Sequence, residues 1–359
     1  MPTIDDVAKA CGLSKATVSL VMNKSSLKVS AATRTRVMRV AKEMNYQPSA
    51  RARSLSRQRA DMIGVVTSRR AHLLADAYFG ALIDSIVECA AEMDQTVAVY
   101  NGRIWVDDEK TQTVFGDGRC DGLLLLVAED ERALTAALSK SQVPFVTVNS
   151  SGMADDINSI DIDNVDAGYR MTRYLLDHGH RRIACLRTED RFSIERLAGY
   201  KKAMAKAGEA FDPRLDVTGH YAPEVSGYVR AQQMLRENPL GITAIFAATD
   251  GLACDAIHGI KDLGLRVPDD ISIVGINDTV DAVRCNPPLT TLRQSVESIG
   301  VEAVRLLMDL IRDPNQEARH IIWPTQLVVR ETVAPPAPAM SGGEIRNSRK
   351  TGNQEEIRI

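Results

Sequence analysis

The sequence lacks the patterns that would place it in a membrane or identify it as a common type of enzyme. No apolar run reaches the length that a bilayer requires, and the start shows no charged-then-apolar signal region. The motifs G-x-S-x-G, G-x-x-x-x-G-K-[ST] and H-E-x-x-H are all missing. These absences favour a cytoplasmic protein and argue against hydrolase, P-loop and zinc-protease chemistry.

The six cysteines are scattered, and no two of them form a C-x-x-C pair. This spacing argues for reduced thiols, and against a disulfide framework or a structural zinc site. His178 and His180 flank Gly179, but no partner cluster lies near them in the sequence, so a polar turn is favoured over metal ligands. The sequence therefore predicts no metal and no cofactor, and it predicts that the protein is not an enzyme.

Charge is distributed unevenly along a chain whose formal net charge is only -3. The first 60 residues hold twelve Lys and Arg against three acidic residues, a balance of +9, and the remainder carries -12. A basic head on an acidic body is typical of a nucleic-acid-binding protein whose body does not adhere to DNA. The alternative, a solvated basic tail, is weakened because these charges are interleaved with apolar residues at helical spacing.

The beginning of the chain reads as two short helices joined by a tight turn. Thr3 can cap the first helix with Asp6 in the capping-box position, and Gly12 can end it in the left-handed conformation. Ser14 can cap the second helix, whose outward face is then free to enter a major groove. This pattern predicts a helix-turn-helix, and a third helix that begins at Ser30 completes the headpiece.

The same stretch resembles the signature of the LacI/GalR family of bacterial transcriptional regulators. The family pattern is roughly D-V-A-x-x-A-G-V-S-x-x-T-V-S-x-V-L-N, and this chain reads D-V-A-K-A-C-G-L-S-K-A-T-V-S-L-V-M-N from Asp6 to Asn23. Cys11 and Leu13 are mild departures from alanine and valine. The alternative, a helical pair inside an enzyme, is disfavoured because spacing and residue types agree along the whole stretch.

By this resemblance, the second helix reads operator DNA through its outward residues Lys15, Ala16 and Leu20. Lys15 could donate to guanine and Ala16 could contact a thymine methyl group, whereas Leu20 could make only an apolar contact. The other DNA-binding candidates on this stretch are Ser14, Thr17, Ser19 and Asn23. The last three are expected to contact phosphates, which fix register without reading sequence. For each residue the alternative is simple exposure to solvent.

The segment after the headpiece, residues 48–55, resembles the hinge helix of the family, P-(N/S)-x-x-A-R-x-L. It is too short to be a stable helix alone in water. In the family the hinge folds only on cognate DNA, and its leucine wedges between base pairs from the minor groove. The resemblance gives this role to Leu55 and adds Ala52 and Arg53 to the DNA-binding residues. The alternative is that Leu55 packs on the body.

From residue 62 the sequence alternates short strand candidates with amphipathic helix candidates, which predicts parallel sheets covered on both faces. The strand candidates are 62–67, 96–100, 122–127, 145–148, 159–162, 183–186, 244–248, 271–276 and 326–329. The helix candidates are 79–93, 131–139, 165–179, 193–208, 224–237, 251–263 and 295–311. So many units favour two sheets in tandem, with the pattern restarting near residue 157.

The body resembles the periplasmic-binding-protein-like effector domain of the same family, on landmarks such as R-L-A-G-Y from Arg196 to Tyr200. The resemblance implies an all-α helix-turn-helix headpiece (1–47), a hinge helix and linker (48–61), and an α/β effector and dimerisation domain of two parallel-sheet subdomains (62–333). The expected subdomains are 62–162 plus 293–322, and 163–292 plus 323–333.

Residues 334–359 read as a disordered tail, since they combine Pro, Gly, Ser and charge without an apolar period. Some relatives carry a leucine heptad there that forms tetramers. This tail has none, so a homodimer is expected.

The resemblance also places a small-molecule effector in the cleft between the subdomains, at the carboxyl ends of the strands. The residues expected to line this cleft are Tyr78, Phe79, Asp163, Phe192, Arg196, Tyr221, Asp250 and Asn277. Arg196 matches the ligand-clamping arginine of the family, and its guanidinium suits paired hydroxyls or a carboxylate. Asn277 replaces the aspartate of many relatives, and its amide is compatible with a sugar. Tyr78 and Phe79 could stack on a ring or belong to the core.

Together these patterns predict a dimeric transcriptional regulator that binds double-stranded, pseudo-palindromic operator DNA and is switched by a sugar or sugar derivative. In this family such regulators are most often repressors. Two other hypotheses remain. The basic headpiece argues against a sugar-binding protein that serves transport, and turnover of a sugar would be needed to support an enzyme on the same α/β body. No membrane partner is expected.

Overall fold

A computed structural model describes residues 2–22, 29–47, 59–67, 76–101, 115–126, 131–141, 143–150, 156–219 and 223–337. Its helices are α1 (Ile4–Cys11), α2 (Lys15–Met22), α3 (Ala31–Glu43), α4 (Ala77–Glu92), α5 (Glu131–Ser141), α6 (Asn164–Asp177), α7 (Arg191–Lys206), α8 (Gly227–Leu235), α9 (Asp250–Asp262), α10 (Val280–Arg284) and α11 (Val296–Arg312). Its strands are β1 (Met62–Thr67), β2 (Thr96–Asn101), β3 (Gly122–Leu126), β4 (Phe145–Val148), β5 (Ser159–Ile162), β6 (Ile183–Arg187), β7 (Asp216–Thr218), β8 (Ala244–Ala247), β9 (Ser272–Asn277), β10 (Thr290–Gln294), β11 (His320–Trp323) and β12 (Thr325–Val328).

Helices α1, α2 and α3 form a headpiece with a hydrophobic core of its own. The capping box at the start of α1 is present: the Thr3 hydroxyl accepts from the Asp6 N–H at 3.3 Å, and the Asp6 carboxylate accepts from the Thr3 N–H at 2.8 Å. Gly12 ends α1 in the left-handed conformation, with φ of 59°. Each helix contributes a fully buried valine: Val7, Val18 and Val37. The predicted helix-turn-helix and its third helix are confirmed.

The described residues of the body form two six-stranded sheets of similar construction. The first has the strand order β11-β5-β4-β3-β1-β2, and the second has the order β12-β10-β9-β8-β6-β7. Neighbouring strands run parallel throughout, except that β12 runs antiparallel to β10. Every residue of the central strands β3 and β9 is buried, as expected for parallel strands covered on both faces. The prediction of two parallel-sheet subdomains is confirmed.

The chain passes between the two sheets three times: from β5 into α6, from β10 into α11, and from β11 into β12. The second and third crossings differ slightly from the predicted subdomain borders. Arg293 and Gln294 still pair in β10, and Trp323 still pairs in β11. The second crossing therefore lies after Gln294, and the third lies at Pro324.

The described backbone continues beyond residue 333, where the domain was predicted to end. The Ala334 N–H donates to the Ser272 hydroxyl at 3.0 Å, and the Ala334 carbonyl lies 2.9 Å from Nε2 of the buried His180. The predicted tail is therefore wrong at its beginning, because Ala334 is tied to the second subdomain. Residues 338–359 lie outside the described part of the chain.

Helices α6 and α7 pack at very short range, and this contact fixes the N-terminal half of α7. A Cβ atom added at Gly168 would lie 2.0 Å from the backbone oxygen of Arg196, and one added at Gly199 would lie 2.0 Å from that of Val165. Only glycine permits such an approach. The two glycines thereby hold the Arg196 backbone against the start of α6.

Candidate DNA interface and effector cavity

Helix α2 presents its predicted DNA-reading residues to solvent. Lys15, Ala16 and Leu20 are exposed, whereas Val18 and Val21 are buried in the headpiece core. This division follows from the helical period of 3.6 residues, which places the two sets on opposite sides. The exposed face offers one cation and two apolar side chains.

The start of α2 is fixed by Ser14, whose hydroxyl accepts from the Thr17 N–H at 3.1 Å and lies 2.8 Å from the Thr17 hydroxyl. Lys15 Nζ lies 3.0 Å from the Asp5 carboxylate, and both side chains are exposed. Exposed ion pairs of this kind contribute at most about 1 kcal/mol. A phosphate or base edge can therefore replace Asp5 as the partner of Lys15 at little cost. Ser19 is half-buried.

Five predicted contact residues lie outside the described residues: Asn23, Ala52, Arg53, Leu55 and Tyr221. Their roles in DNA binding or effector binding stay predictions.

A cavity lies between the two subdomains, where the carboxyl ends of both sheets meet. It encloses about 350 Å³, including its open mouth. Its lining residues are Asp76, Tyr78, Phe79, Asn149, Asp161, Asn164, Phe192, Arg196, Thr249, Asn277 and Gln294. The structure thus brings five of the predicted residues together: Tyr78, Phe79, Phe192, Arg196 and Asn277. This position matches the ligand crevice of open α/β sheets.

The first subdomain contributes an aromatic wall at the start of α4. The Asp76 carboxylate accepts from the N–H groups of Tyr78 at 2.9 Å and Phe79 at 3.2 Å, which caps the helix and fixes both rings. The rings meet edge to face with centroids 5.3 Å apart. Burial raises the pKa of the Tyr78 hydroxyl, so it stays protonated and can donate. These residues serve both as core and as cavity lining.

The second subdomain contributes Arg196, which is only 3% exposed. Its Nε donates to Asn164 Oδ1 at 3.0 Å, and its Nη1 donates to the Ala248 carbonyl at 2.6 Å. The guanidinium carbon lies 5.0 Å from the centroid of the Phe192 ring. A guanidinium held this firmly presents a rigid donor fork beside an apolar ring, which suits a ligand with neighbouring hydroxyls.

Asn277 lies at the end of β9 in an unusual backbone conformation, with φ of 135°, and Asp278 follows with φ of 58°. The nearly buried Asp278 carboxylate binds Arg293 Nε at 2.6 Å and also binds Arg330. The Asn277 side chain is held separately, since Gln294 Nε2 donates to its Oδ1 at 2.8 Å. Strained backbone conformations persist only where surrounding contacts fix them. Here the contacts of Asp278 and Gln294 hold this segment, and the Asn277 side chain lines the cavity.

Asp163 is not among the described residues that line the cavity, so its predicted role as an effector ligand stays a prediction. Its side chain is exposed and accepts from the Asp166 N–H at 2.8 Å, which caps α6. A carboxylate two residues earlier, Asp161, lies in the cavity wall. Side chains alternate between the two faces of a strand, but Asp163 follows the last residue of β5. The alternation therefore does not predict the direction of its side chain.

Asp250 is likewise absent from the described residues that line the cavity, and its predicted contact with the effector stays a prediction. It is fully buried, accepting from the Thr291 hydroxyl at 2.6 Å and from the Thr279 N–H at 2.8 Å. Burial raises the pKa of Asp250 to about 6, against the opposing effect of these hydrogen bonds. Its neighbour Thr249 lines the cavity instead, and Asp250 holds the loop that carries Asn277.

Six lining residues were not predicted from the sequence: Asp76, Asn149, Asp161, Asn164, Thr249 and Gln294. One signal could have found most of them, because each of the last five lies within two residues of the carboxyl end of a strand. In parallel sheets these ends meet at one edge, where polar side chains converge.

Within the described ranges, no group of three or more His, Cys, Asp and Glu residues is placed to hold a metal ion. In the same part of the chain, no helix has the length and apolar character needed to span a membrane.

Family profiles match both parts of this architecture. Residues 3–49 match the profile described as bacterial regulatory proteins, lacI family, and residues 172–333 match that of the periplasmic binding protein-like domain. Among curated relatives, the HTH-type transcriptional regulator CelR of Thermobifida fusca is 32% identical over 336 residues, which cover 92% of this chain and 98% of CelR. The HTH-type transcriptional repressor PurR of Klebsiella pneumoniae is 35% identical over 342 residues, with 93% and 97% covered.

Solved structures give the same result. The chain is similar to a transcriptional regulator CelR–cellobiose complex with a TM-score of 0.70 and 31% identity, over 92% of this chain and 100% of that one. It is similar to the lac repressor dimer bound to operator and the anti-inducer ONPF with a TM-score of 0.79 and 29% identity, over 93% and 99%. These likenesses extend over both the headpiece and the body.

Proposed function

The chain belongs to the LacI family of bacterial regulatory proteins, and from this we propose that it is a homodimeric repressor switched by a sugar or sugar derivative. It is a DNA-binding transcriptional regulator, like its relatives, and not an enzyme. The proposal concerns the sign of regulation, the oligomeric state, the form of the operator and the class of effector.

The observation that carries the proposal is the composition of the cavity wall, which draws on both subdomains. Tyr78 and Phe79 come from the first, whereas Arg196 and Asn277 come from the second. A molecule that binds both sets of residues favours one angle between the subdomains over others. Ligand binding can therefore bias an equilibrium between open and closed forms.

The chemistry of the wall supports a sugar as the effector. Four amides line it and each can donate and accept: Asn149, Asn164, Asn277 and Gln294. Phe79 and Phe192 add apolar rings, on which the face of a sugar can pack. Among the described lining residues, the carboxylates of Asp76 and Asp161 outnumber the single guanidinium of Arg196, which disfavours a strongly anionic ligand. The structure of the relative CelR holds cellobiose.

Exposed apolar side chains on the body support a dimer. Val87 of α4 and Val99 of β2 are 44% and 46% exposed, and Val280 and Val283 of α10 are 47% and 54% exposed. Contiguous apolar patches, unlike singly exposed residues, often mark contacts with another chain, and Val280 and Val283 lie one helical turn apart on the same short helix. A twofold dimer presents two headpieces related by symmetry, so its operator is expected to be pseudo-palindromic.

In the proposed switch, closure around the effector moves the first subdomain of each protomer and changes the distance between the two hinge segments. By the family resemblance these segments are residues 48–55, with Leu55 as the minor-groove wedge. A coupling free energy of about 1 to 3 kcal/mol between effector and operator is enough for regulation.

Mobility-shift assays with the full-length protein and fragments of its own promoter region test the proposal. We expect one fragment to bind, and we expect one of cellobiose, ribose, glucose or glucuronate to change its affinity by about fivefold or more. Light scattering on the same sample should give a dimer. Failure to bind any fragment, with or without these sugars, would contradict the proposed repressor.

A further inference from the structure

Two buried amides lie at crossings between the subdomains. Asn164 is the first residue of α6, directly after the chain leaves the first sheet. Gln294 is the last residue of β10, directly before the chain returns to the first subdomain. They are 2% and 4% exposed, and both line the cavity. Each is therefore placed to contact a ligand and both subdomains.

Asn164 links the subdomains at the first crossing. Its Nδ2 lies 3.3 Å from both carboxylate oxygens of Asp161, which belongs to β5 of the first sheet. Its Oδ1 accepts from Arg196 Nε at 3.0 Å, and Arg196 belongs to α7 of the second subdomain. One amide thus donates to one subdomain and accepts from the other.

Gln294 makes an equivalent link at the second crossing. Its Oε1 lies 3.3 Å from the hydroxyl of Tyr78, which belongs to the first subdomain. Its Nε2 donates at 2.8 Å to Asn277 Oδ1 in the second. The Tyr78 hydroxyl also lies 2.7 Å from Asn149 Oδ1, and its single proton can be donated to only one of the two acceptors. A ligand that engages Asn149 or Asn277 therefore changes the bond across the crossing.

We propose that Asn164 and Gln294 are paired positioning residues that transmit occupancy of the cavity to the angle between the subdomains. An amide is suited to this role because it donates and accepts at once, so it can join a carboxylate or hydroxyl on one side to a guanidinium or amide on the other. The proposal rests on the effector-switched function proposed above and names the atoms that couple the ligand to the hinge.

Three variants test whether Asn164 and Gln294 couple the two crossings or only stabilise the structure around each amide. Asn164→Asp keeps the acceptor for Arg196 but places a second carboxylate against Asp161. The double variant Asp161→Asn with Asn164→Asp exchanges amide and carboxylate, and so restores a donor and an acceptor between them. Tyr78→Phe cuts the other link from the first subdomain, and it keeps the proposal testable if Asn164→Asp does not fold.

The matched control is Asn238→Asp. The Asn238 side chain also donates and accepts at once, through the Ile242 carbonyl at 2.9 Å and the Ile242 N–H at 2.7 Å. Both partners lie in one loop of the second subdomain, so the same substitution breaks a local bond without breaking a link between subdomains.

The readout is hydrogen–deuterium exchange of the full chain, without DNA or sugar, at the first amide after each crossing that is bonded to a backbone carbonyl. These are Ala167, which donates to Asp163 at 2.9 Å, and Ile299, which donates to Ser295 at 2.9 Å. In Asn164→Asp we expect exchange of peptides containing Ile299, at the distant crossing, to rise about fivefold, and in Tyr78→Phe we expect the same at Ala167. The double variant should return exchange to the parent rate.

A rise confined to the mutated crossing, or an equal rise at the two crossings in Asn238→Asp, would overturn the proposal. Failure of the double variant to restore slow exchange would overturn it as well. Because no sugar or operator is present, this result does not depend on whether the mobility-shift assays succeed. A failure of the repressor proposal can therefore be told apart from a failure of the amide links.

Discussion

The headpiece and the effector cavity depend on the sequence in different ways. The headpiece core closes among residues 4–46, and its exposed helix follows from one continuous pattern. The cavity wall instead collects residues between Asp76 and Gln294 from both subdomains. A site formed by one continuous segment can be predicted from its local sequence pattern. A site whose residues come from distant segments can be recognised only once the fold is known. Four substitutions test how independent the two regions are.

Gly199→Val is expected to have the largest effect, and only on the body. An added Cβ would lie 2.0 Å from the Val165 carbonyl, so α6 and α7 must move apart. We expect the free energy of unfolding of the body to fall by about 3 kcal/mol or more. Calorimetry measures this, and Ala205→Val is the control because Ala205 is exposed on the same helix. Similar losses in both variants would contradict the packing argument.

Arg196→Ala is expected to remove the response to the effector and to leave DNA binding without effector intact. The substitution leaves Asn164 Oδ1 and the Ala248 carbonyl without a charged donor, in addition to removing the donor fork. We expect the affinity for whichever sugar acts on the parent to fall about 100-fold. Titration calorimetry measures this loss, with the exposed Arg182→Ala as control. Unchanged affinity would remove Arg196 from the site.

Asp250→Asn tests the buried carboxylate beneath the cavity through its pH dependence. The pKa of Asp250 is about 6 in the folded protein and 3.8 in the reference state, so the folded protein binds more protons between these values. Its contribution to stability therefore falls as the pH rises from about 4 to 6. The variant cannot titrate there. The difference in unfolding free energy between parent and variant should change by about 2 to 3 kcal/mol across this window.

Denaturant unfolding at several pH values measures this difference, and a constant difference would contradict it. The headpiece should show the opposite sign. Hydrogen bonds from Thr3 lower the pKa of the Asp6 carboxylate, so its stabilising contribution is present above the ordinary pKa and is lost as the pH falls through the lowered one. The two regions therefore respond to acid in opposite directions at these residues.

Lys15→Ala is expected to have the smallest effect, and only on DNA binding. Loss of one cationic contact should weaken operator binding about tenfold. If Lys15 reads a guanine, sequence preference relaxes; if it contacts a phosphate, the salt dependence weakens instead. Fluorescence anisotropy at several salt concentrations separates these outcomes, with Lys9→Ala as control. A change in sugar affinity would show that the headpiece and cavity are not independent.

The fold could be predicted well because long elements carry clear periodicity. The predicted strands and helices of the body all correspond to observed elements, but β7, β10, β11 and α10 were missed. These elements have only three to five residues. Predicted strands of similar length, such as β4 and β8, are marked by the apolar runs FVTV and AIFA, which β7 (DVT) and β10 (TTLRQ) lack. The two-sheet division was nevertheless predicted, since it depends on the number of units.

The cavity was predicted only in part, for a physical reason. Arg196 lies in a recognisable motif, but Asp161, Asn164 and Gln294 line the cavity because the crossings bring them together. No local pattern distinguishes the buried Asp161 from the exposed Asp163, which lies two residues further on. Their difference depends on where β5 ends and α6 begins, a boundary that sequence patterns locate only to within a few residues.

The threefold passage of the chain between the sheets limits how this molecule can be divided. Neither subdomain of the body is encoded by one continuous stretch of the gene, so no single cut of the chain releases a complete subdomain. The headpiece, by contrast, is one uninterrupted stretch that precedes the sensor. Recombination at a single junction can therefore join a headpiece of different DNA specificity to an existing effector domain. Exchanging one subdomain requires recombination at all three crossings.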